Sequence, residues 1–374
     1  MKKKKRILVL HPALAPYRVD FFNSLNENFD ADFYFFNENL LNQKFNQDKL
    51  KKEIDFTCNY LKKGFNTHGR SFRFGIAKIV RKLQPDIVIC PEYNLVNLSV
   101  LLYRLRSSKK FKIITICDDN IQVAKQVSFL KKILRSFFLR NLDAVILTHQ
   151  EITHWYKSNL KPKAKLLEFP IIRKEKPYLK QLERSNLITK DYISTYNLQN
   201  KKVLLYVGRL VKVKNLETLL DAFALVNKKN KSSLLVLIGS GDLQSVLEEK
   251  IKNLGLEKVV LMLGRLEGNE LLAWYQNAGI FILPSTSEPF GAVINEALLA
   301  GCYVLSSNLA GGASLIKEDL NGNTFDPNNK KEIVKTIMLN LNRKELFINQ
   351  GEFRENRMTD TYKVYFDNLI KEII

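Results

Sequence analysis

Short unbroken apolar runs recur along this chain, and each is cut off by a proline, a glycine or a polar cluster. Residues 7–10 (ILVL), 33–36 (FYFF), 86–90 (DIVIC), 112–117 (KIITIC) and 144–148 (AVILT) form a first series. Residues 203–208 (VLLYVG), 234–239 (LLVLIG), 259–261 (VVL), 280–283 (IFIL) and 303–305 (YVL) form a second. Runs this short and this rich in Val, Ile and Leu read as strands buried on both faces. Between them lie stretches of helical pattern, among them 19–25, 76–83, 95–106, 216–226 and 243–254. Strand and helix in alternation imply doubly wound α/β layers with parallel sheets. A chain of 374 residues, 45% of them hydrophobic, is long enough for two such domains. The segment 170–200 is polar, carries two prolines and shows little strand pattern, so it reads as the linker.

The apolar run at 7–10 is too short for a signal-peptide core, and no run approaches the ~20 apolar residues of a membrane span. Cys58, Cys90, Cys117 and Cys302 are scattered, with no CxxC pair, and read as reduced thiols. His149 and His154 are five apart, the wrong spacing for two ligands on one helix face. Asp118 and Asp119 are adjacent and so share no regular face, and no third ligand is evident; no metal is assigned.

The net charge of +21 sits almost wholly in the first half. Residues 1–180 hold 35 Lys+Arg against 16 Asp+Glu, or +19; residues 181–374 hold 24 against 22, or +2. So basic a half calls for an anionic partner: nucleic acid, a phospholipid surface or a phosphorylated substrate. No zinc finger, RRM signature or recognition helix supports nucleic acid. In 70–83 (RSFRFGIAKIVRKL) and 129–140 (FLKKILRSFFLR) apolar and basic residues interleave. Each fits a segment lying on an anionic bilayer, and equally a core-packing helix with a solvated basic face.

In open α/β sheets the chemistry gathers at the carboxyl ends of the strands. In the first half these positions hold His11, Tyr17, Arg18, Glu92, Asp118, Asp119 and Asn120. In the second half Gly208 ends a strand, and Arg209 and Lys214 lie five apart in the loop that follows. An arginine fork and a lysine point charge suit a diphosphate. The richest stretch is 281–301, FILPSTSEPFGAVINEALLAG. It reads as a strand ended by Pro284, a small polar loop, then a helix from Ala292 with Gly301 as its cap. Glu288 lies in the loop and Glu296 in the helix. Free backbone N–H groups at that helix start suit a phosphate or a sugar oxygen.

This stretch resembles the signature of the family 4 glycosyltransferases: two glutamates separated by seven residues, Pro-Phe-Gly after the first and Ala-x-x-x-Gly after the second. The resemblance is clearest over 203–327. It implies that Glu288 contacts the donor sugar and Glu296 the ribose. It also implies that Arg209 and Lys214 hold the donor diphosphate, beside Gly208 and the segment Phe290, Gly291, Ala292 and Val293. Gly264-Arg265-Leu266 resembles the family loop beside the nucleobase, which assigns Arg265 and Leu266 to the donor. Asp118 and Asp119 are the catalytic candidates of the first half. The chain departs from the family twice. HPALAPYR stands where a glycine-rich loop is usual, leaving His11 and Arg18 as polar alternatives, and Ser314-Leu315 replaces a common Pro-Glu.

The fold so implied is α/β, GT-B: two facing Rossmann-like doubly wound domains with a C-terminal helix crossing back to the first. Residues 1–175 with 358–374 would form the acceptor side, and 176–357 the nucleotide-sugar side. The implied reaction is retaining transfer of a hexose-type sugar from a UDP- or GDP-linked donor, without a metal or other cofactor. The charge adds a lipid-linked or polysaccharide acceptor and a peripheral place on the inner face of the cell membrane. The rival classes are another GT-B enzyme, such as an epimerase or phosphorylase, and a non-catalytic membrane-binding protein of the same fold.

Overall fold

The computed structural model describes residues 3–40, 45–67, 70–347 and 351–374. It divides into two compact units, Met1–Ile171 with Tyr365–Ile374, and Ile172–Val364.

The first unit carries the strands β1 Arg6–His11, β2 Asp30–Phe35, β3 Cys58–Tyr60, β4 Gly64–Thr67, β5 Arg70–Arg73, β6 Ile87–Cys90, β7 Lys112–Cys117, β8 Ala144–Leu147 and β9 Lys165–Glu168. Seven of them form one parallel sheet in the order β3-β2-β1-β6-β7-β8-β9. Its centre is Ile and Val, with Val9 opposite Ile89 and Ile89 opposite Ile114. The edge strands β3 and β9 were not expected from the sequence; CNY is only half-buried and KLLE buries one side chain fully.

β4 and β5 make an antiparallel hairpin. The stretch 70–83 is therefore not one amphipathic surface. Arg70–Arg73 is a strand, Gly75 turns the chain at φ +85°, and only Ile76–Leu83 is helical. That helix buries Ile76 and Val80 and exposes Lys78, Arg81 and Lys82, so it packs on the core with a solvated basic face.

The C-terminal helix Tyr362–Ile373 delivers its last residues to the first unit. There Phe366 packs edge-on against Phe21 and Phe169, and Lys112 Nζ donates to the Ile373 carbonyl (2.8 Å).

The second unit carries β10 Lys202–Val207, β11 Ser233–Ile238, β12 Val260–Met262, β13 Ile280–Leu283, β14 Tyr303–Ser307 and β15 Gly322–Phe325. They form a parallel sheet in the order β12-β11-β10-β13-β14-β15. β15, GNTF, lies beyond the expected last strand; as an edge strand it needs little apolar content. The expected linker is helical. Glu175–Arg184 and Asn186–Thr195 pack on the helix Asn269–Asn277 within this unit. Pro177 sits in the first turn, where the missing N–H has no intrahelical partner to lose. Buried Gln276 fastens the pair: it accepts from Ser185 (3.1 Å) and Thr189 (2.5 Å) and donates to the Leu182 carbonyl (3.1 Å).

Each strand order reverses once, between β1 and β6 in the first sheet and between β10 and β13 in the second. Such a switch opens a crevice at the carboxyl ends of the two strands.

Candidate active site

At the second sheet's switch point, β10 runs into Gly208, exposed Arg209 and buried Leu210. A single turn of 3₁₀ helix, Lys212–Lys214, and Asn215 in the left-handed region then lead into the helix Leu216–Lys229. This loop is sewn to its neighbours by backbone bonds. Leu210 N donates to Ser240 O (2.9 Å), Leu243 N to Leu210 O (3.0 Å) and Thr286 N to Val213 O (2.9 Å). The approach to the β11 loop is so close that a Cβ on Gly239 (φ +145°) would lie 1.8 Å from Gly208 O. Only glycine fits there.

β13 ends in the loop that carries Glu288. The Ala310-Gly311-Gly312 turn braces it: Gly311 N donates to Glu288 O (3.2 Å) and Gly312 N to Phe290 O (2.6 Å). Phe290 is buried, and Gly291 at φ +86° opens the helix Ala292–Leu299, with Ala292 and Val293 half-exposed. Lys214 Nζ and Glu288 Oε2 meet in an ion pair across the crevice. Two of the expected site residues, one from each side of the switch, are thus in direct contact.

Arg209 and Glu288 both act on the Tyr206 hydroxyl, which burial holds far above its ordinary pKa; Glu288 raises it further and Arg209 lowers it. That hydroxyl donates to Arg209 O (2.9 Å) and so fixes the strand end. Tyr206 was missed in the sequence, although a phenol inside a buried strand needs a partner. Glu296 accepts from the Tyr275 hydroxyl (3.2 Å). Burial pushes its carboxyl above the usual range, while Arg173 and Tyr275 pull it back. Arg265 is exposed and donates to Glu267 from Nε (2.9 Å); Leu266 beside it is half-buried. Ser314 donates to Gly311 O (2.9 Å) within the bracing turn.

The carboxyl edge of the first sheet holds a second polar cluster. Arg18, almost fully buried, pairs with Asp118, whose side chain stays 38% exposed. His11 donates from Nδ1 to Ala13 O (2.8 Å), and burial and Arg18 push it down to about 4. Asp119 turns inward. It pairs with Arg135 (2.6 Å) and accepts from Tyr156 (2.9 Å), all three within the core. Asn120 caps the next helix by accepting from Val123 N (2.8 Å).

Glu92, an exposed residue just past the end of β6, lies 3.4 Å from the Cys117 thiol; lost hydration at the carboxyl end of its side chain and the charges of Asp119 and Asp118 push it up to about 8. Glu92, Cys117 and Asp119 bring potential ligand atoms within 4.8 Å of one another. Asp119 already answers Arg135 and Tyr156, which makes the trio a poor metal site. Asp118 and Asp119, adjacent in sequence, thus do different work: one at the open edge, one in the core.

Residues 190–357 match the family described as glycosyl transferases group 1. Over this segment, somewhat less than half of the chain, it is similar to the group 1 glycosyltransferases. An uncharacterised glycosyltransferase of Methanocaldococcus jannaschii is 33% identical over 179 residues, covering 47% of this chain and 44% of that protein. The alpha-monoglucosyldiacylglycerol synthase of Streptococcus pneumoniae is 32% identical over 184 residues, covering 48% and 40%. The chain matches less than half the length of these two curated relatives. Among solved structures, Anabaena HepE in complex with UDP and glucose aligns with a TM-score of 0.69 at 16% identity, over 99% of this chain and 97% of that one. This likeness identifies the fold as GT-B. The matched segment carries Gly208, Arg209, Lys214, Arg265, Leu266, Glu288 and Glu296.

Proposed function

We propose that the chain is a group 1 glycosyltransferase that moves a hexose-type sugar from a UDP- or GDP-sugar to a lipid-linked or polysaccharide acceptor in cell-surface glycan synthesis. The observation that carries the reading is the Lys214–Glu288 pair at the switch point of the second sheet, with Arg209 exposed on the same loop. HepE, of the same fold, was solved with UDP and glucose. The name of the pneumococcal relative describes a glucosyl lipid.

In this reading Arg209 and Lys214 take the leaving diphosphate. The start of the helix Ala292–Leu299 adds N–H donors and a positive dipole end. Glu288 holds sugar hydroxyls and Glu296 the ribose. The bond from the anomeric carbon to the phosphate oxygen breaks. The acceptor hydroxyl closes on the same face of the sugar, and its proton passes to the departing diphosphate oxygen. Two cations and a helix terminus stabilise that anion, so no metal is needed. Asp118, at the open edge of the first sheet, is the candidate for the acceptor hydroxyl. Asp119, held by Arg135, keeps the edge in shape. The +19 of residues 1–180 favours an acceptor at an anionic membrane surface on the cytoplasmic side, where the chain would be held peripherally. No described helix is long and apolar enough to cross a membrane.

The test begins with thermal stabilisation by UDP-, GDP- and other nucleotide sugars. Product analysis by NMR on lipid extracts follows, with and without chelator. Transfer with retained anomeric configuration that survives chelation is the expected result. Strict dependence on Mg²⁺ would remove the metal-free mechanism. Epimerised or phosphorolysed donor with no acceptor product would replace the transferase by another GT-B activity.

A further inference from the structure

The helix Phe129–Asn141 is apolar on two opposite faces. Its inner face is Phe138 and Leu139, fully buried, with Arg135 between them in the core pair with Asp119. Its outer face is Phe129, Leu130, Ile133, Leu134 and Phe137, all exposed, the first two by 78% and 75%. At about 100° per residue these five fall within an arc of roughly 140°, facing away from the buried trio. A surface helix of a water-soluble domain ordinarily buries one stripe and hydrates the other. Here the face that should be polar holds five large apolar side chains, and contiguous exposed apolar surface marks an interaction site. A groove of about 500 Å³ opens along it, lined by Lys132, Ile133, Ser136, Phe137, Arg140 and Asn141.

The charges around this face have one sign. Lys131, Lys132 and Arg140 are exposed, Lys125 precedes them, and the helix contains no acidic residue. A second copy docking face to face would press like charges together. An acyl layer under an anionic head-group plane answers both features: apolar side chains enter and long cationic ones reach the phosphates.

We propose that the outer face of Phe129–Asn141 seats the chain on an anionic phospholipid bilayer. Phe129, Leu130, Ile133 and Phe137 enter the interface, and Lys132 and Arg140, which flank this face, contact phosphate. This gives the membrane partner of the transferase reading a defined surface. Its purpose rests on that reading, whereas the docking does not depend on the donor site. Arg135 has no part in it, because its guanidinium is spent on Asp119 in the core.

The test uses the full chain with vesicles of phosphatidylcholine alone and of phosphatidylcholine with phosphatidylglycerol, at low and high salt. Binding is expected only with the anionic lipid and falls as salt shortens the Debye length. Replacing Lys132 and Arg140 with Ser should weaken it by on the order of 25-fold, at about five-fold per cation. Leu130→Ser with Ile133→Ser and Phe137→Ser should abolish it with only a modest fall in urea midpoint, since all three are exposed and only Phe137 meets the core, edge-on at the Phe138 ring (5.5 Å). A Phe137→Trp variant should shift its emission to the blue, relative to the parent, on anionic vesicles. Equal binding to neutral lipid, an unshifted Trp, or a dimer that the apolar triple variant dissolves would overturn the proposal. Stabilisation by UDP, measured on the same samples, is expected to be untouched by these variants. If the parent lacks it, the donor reading fails while the vesicle result stands.

Discussion

Lys214 and Glu288 are paired across the switch point of the second sheet with only 12% and 13% of their side chains exposed. A diphosphate binding at Lys214 therefore finds its cation already engaged, and binding must exchange one anion for another. The same pair keeps two part-buried charges from standing alone. Lys214→Ala should lower turnover by about 2–4 kcal/mol of transition-state stabilisation. It should also destabilise the fold by about 1–3 kcal/mol, because the part-buried Glu288 carboxylate loses its cation. The double variant Lys214→Met, Glu288→Gln separates the two effects: stability should return and turnover should not. Ordinary turnover in Lys214→Ala, measured with a UDP- or GDP-sugar shown to bind, would remove Lys214 from the site.

Glu296 is expected to cost stability where it is charged. Its carboxyl is raised by burial and only partly relieved by Arg173 and Tyr275. A raised carboxyl means that the folded state holds its proton more tightly than the unfolded chain. The penalty is absent at low pH and grows as pH rises through the ordinary carboxylate range to the folded value. Glu296→Gln should therefore match or exceed the parent in urea midpoint at pH 8, lose that advantage near pH 3, and weaken nucleotide binding. A variant that is less stable than the parent at pH 8 but equal at pH 3 would show that Arg173 and Tyr275 outweigh the burial.

How much of this was legible depends on where a residue's partners sit along the chain. Central strands announce themselves, because both faces are buried and the run must be apolar throughout. Edge strands such as Gly322–Phe325 are excused from that rule and were missed. Glu288 and Glu296 stood out because their spacing lies within one strand-loop-helix unit. Arg135 and Asp119 are sixteen residues apart on different elements, so the sequence offers a basic segment and an acidic pair with nothing to join them. Reading every basic residue of 129–140 as facing an anionic surface or solvent hid the fact that one of its arginines faces inward. The helices at 175–195 were hidden by their polar outer faces and by a proline whose helix position is visible only once the helix start is known.

The Arg135–Asp119 pair should prove structural. Removing one partner leaves a charge inside the core beside Tyr156, at a cost of about 3–5 kcal/mol. Arg135→Met and Asp119→Asn are each expected to fall in that range, and the double variant to recover most of the loss. Asp118→Asn should act on transfer and also lower stability, because it takes the carboxylate from Arg18, whose side chain is only 2% exposed. A coupling energy below about 1 kcal/mol in the Arg135–Asp119 cycle would mean that the pair does not hold this edge.

His149 supplies a pH signature. It is buried at the head of the helix Gln150–Leu160, and neither ring nitrogen has a hydrogen-bond partner among the described residues. Burial pushes it down to about 4 from 6.5. Above pH 6.5 both folded and unfolded states carry a neutral ring, and pH does not matter. Between pH 6.5 and 4 the unfolded chain takes up a proton that the folded state refuses, so stability falls with falling pH. The full fall corresponds to about 3 kcal/mol for one such ring. His11, pushed down to about 4 as well, adds a similar slope over the same window. His149→Leu keeps the side chain's bulk, removes two unsatisfied nitrogens and cannot titrate. Its urea midpoint should exceed the parent's at pH 7 by the worth of an unsatisfied buried polar group, about 1–3 kcal/mol. Its decline between pH 6.5 and 4 should be about half as steep. If the variant's decline is as steep as the parent's, the acid sensitivity lies with His11 and the carboxylates, and the ring at 149 is protonated in the folded chain as readily as in the unfolded one.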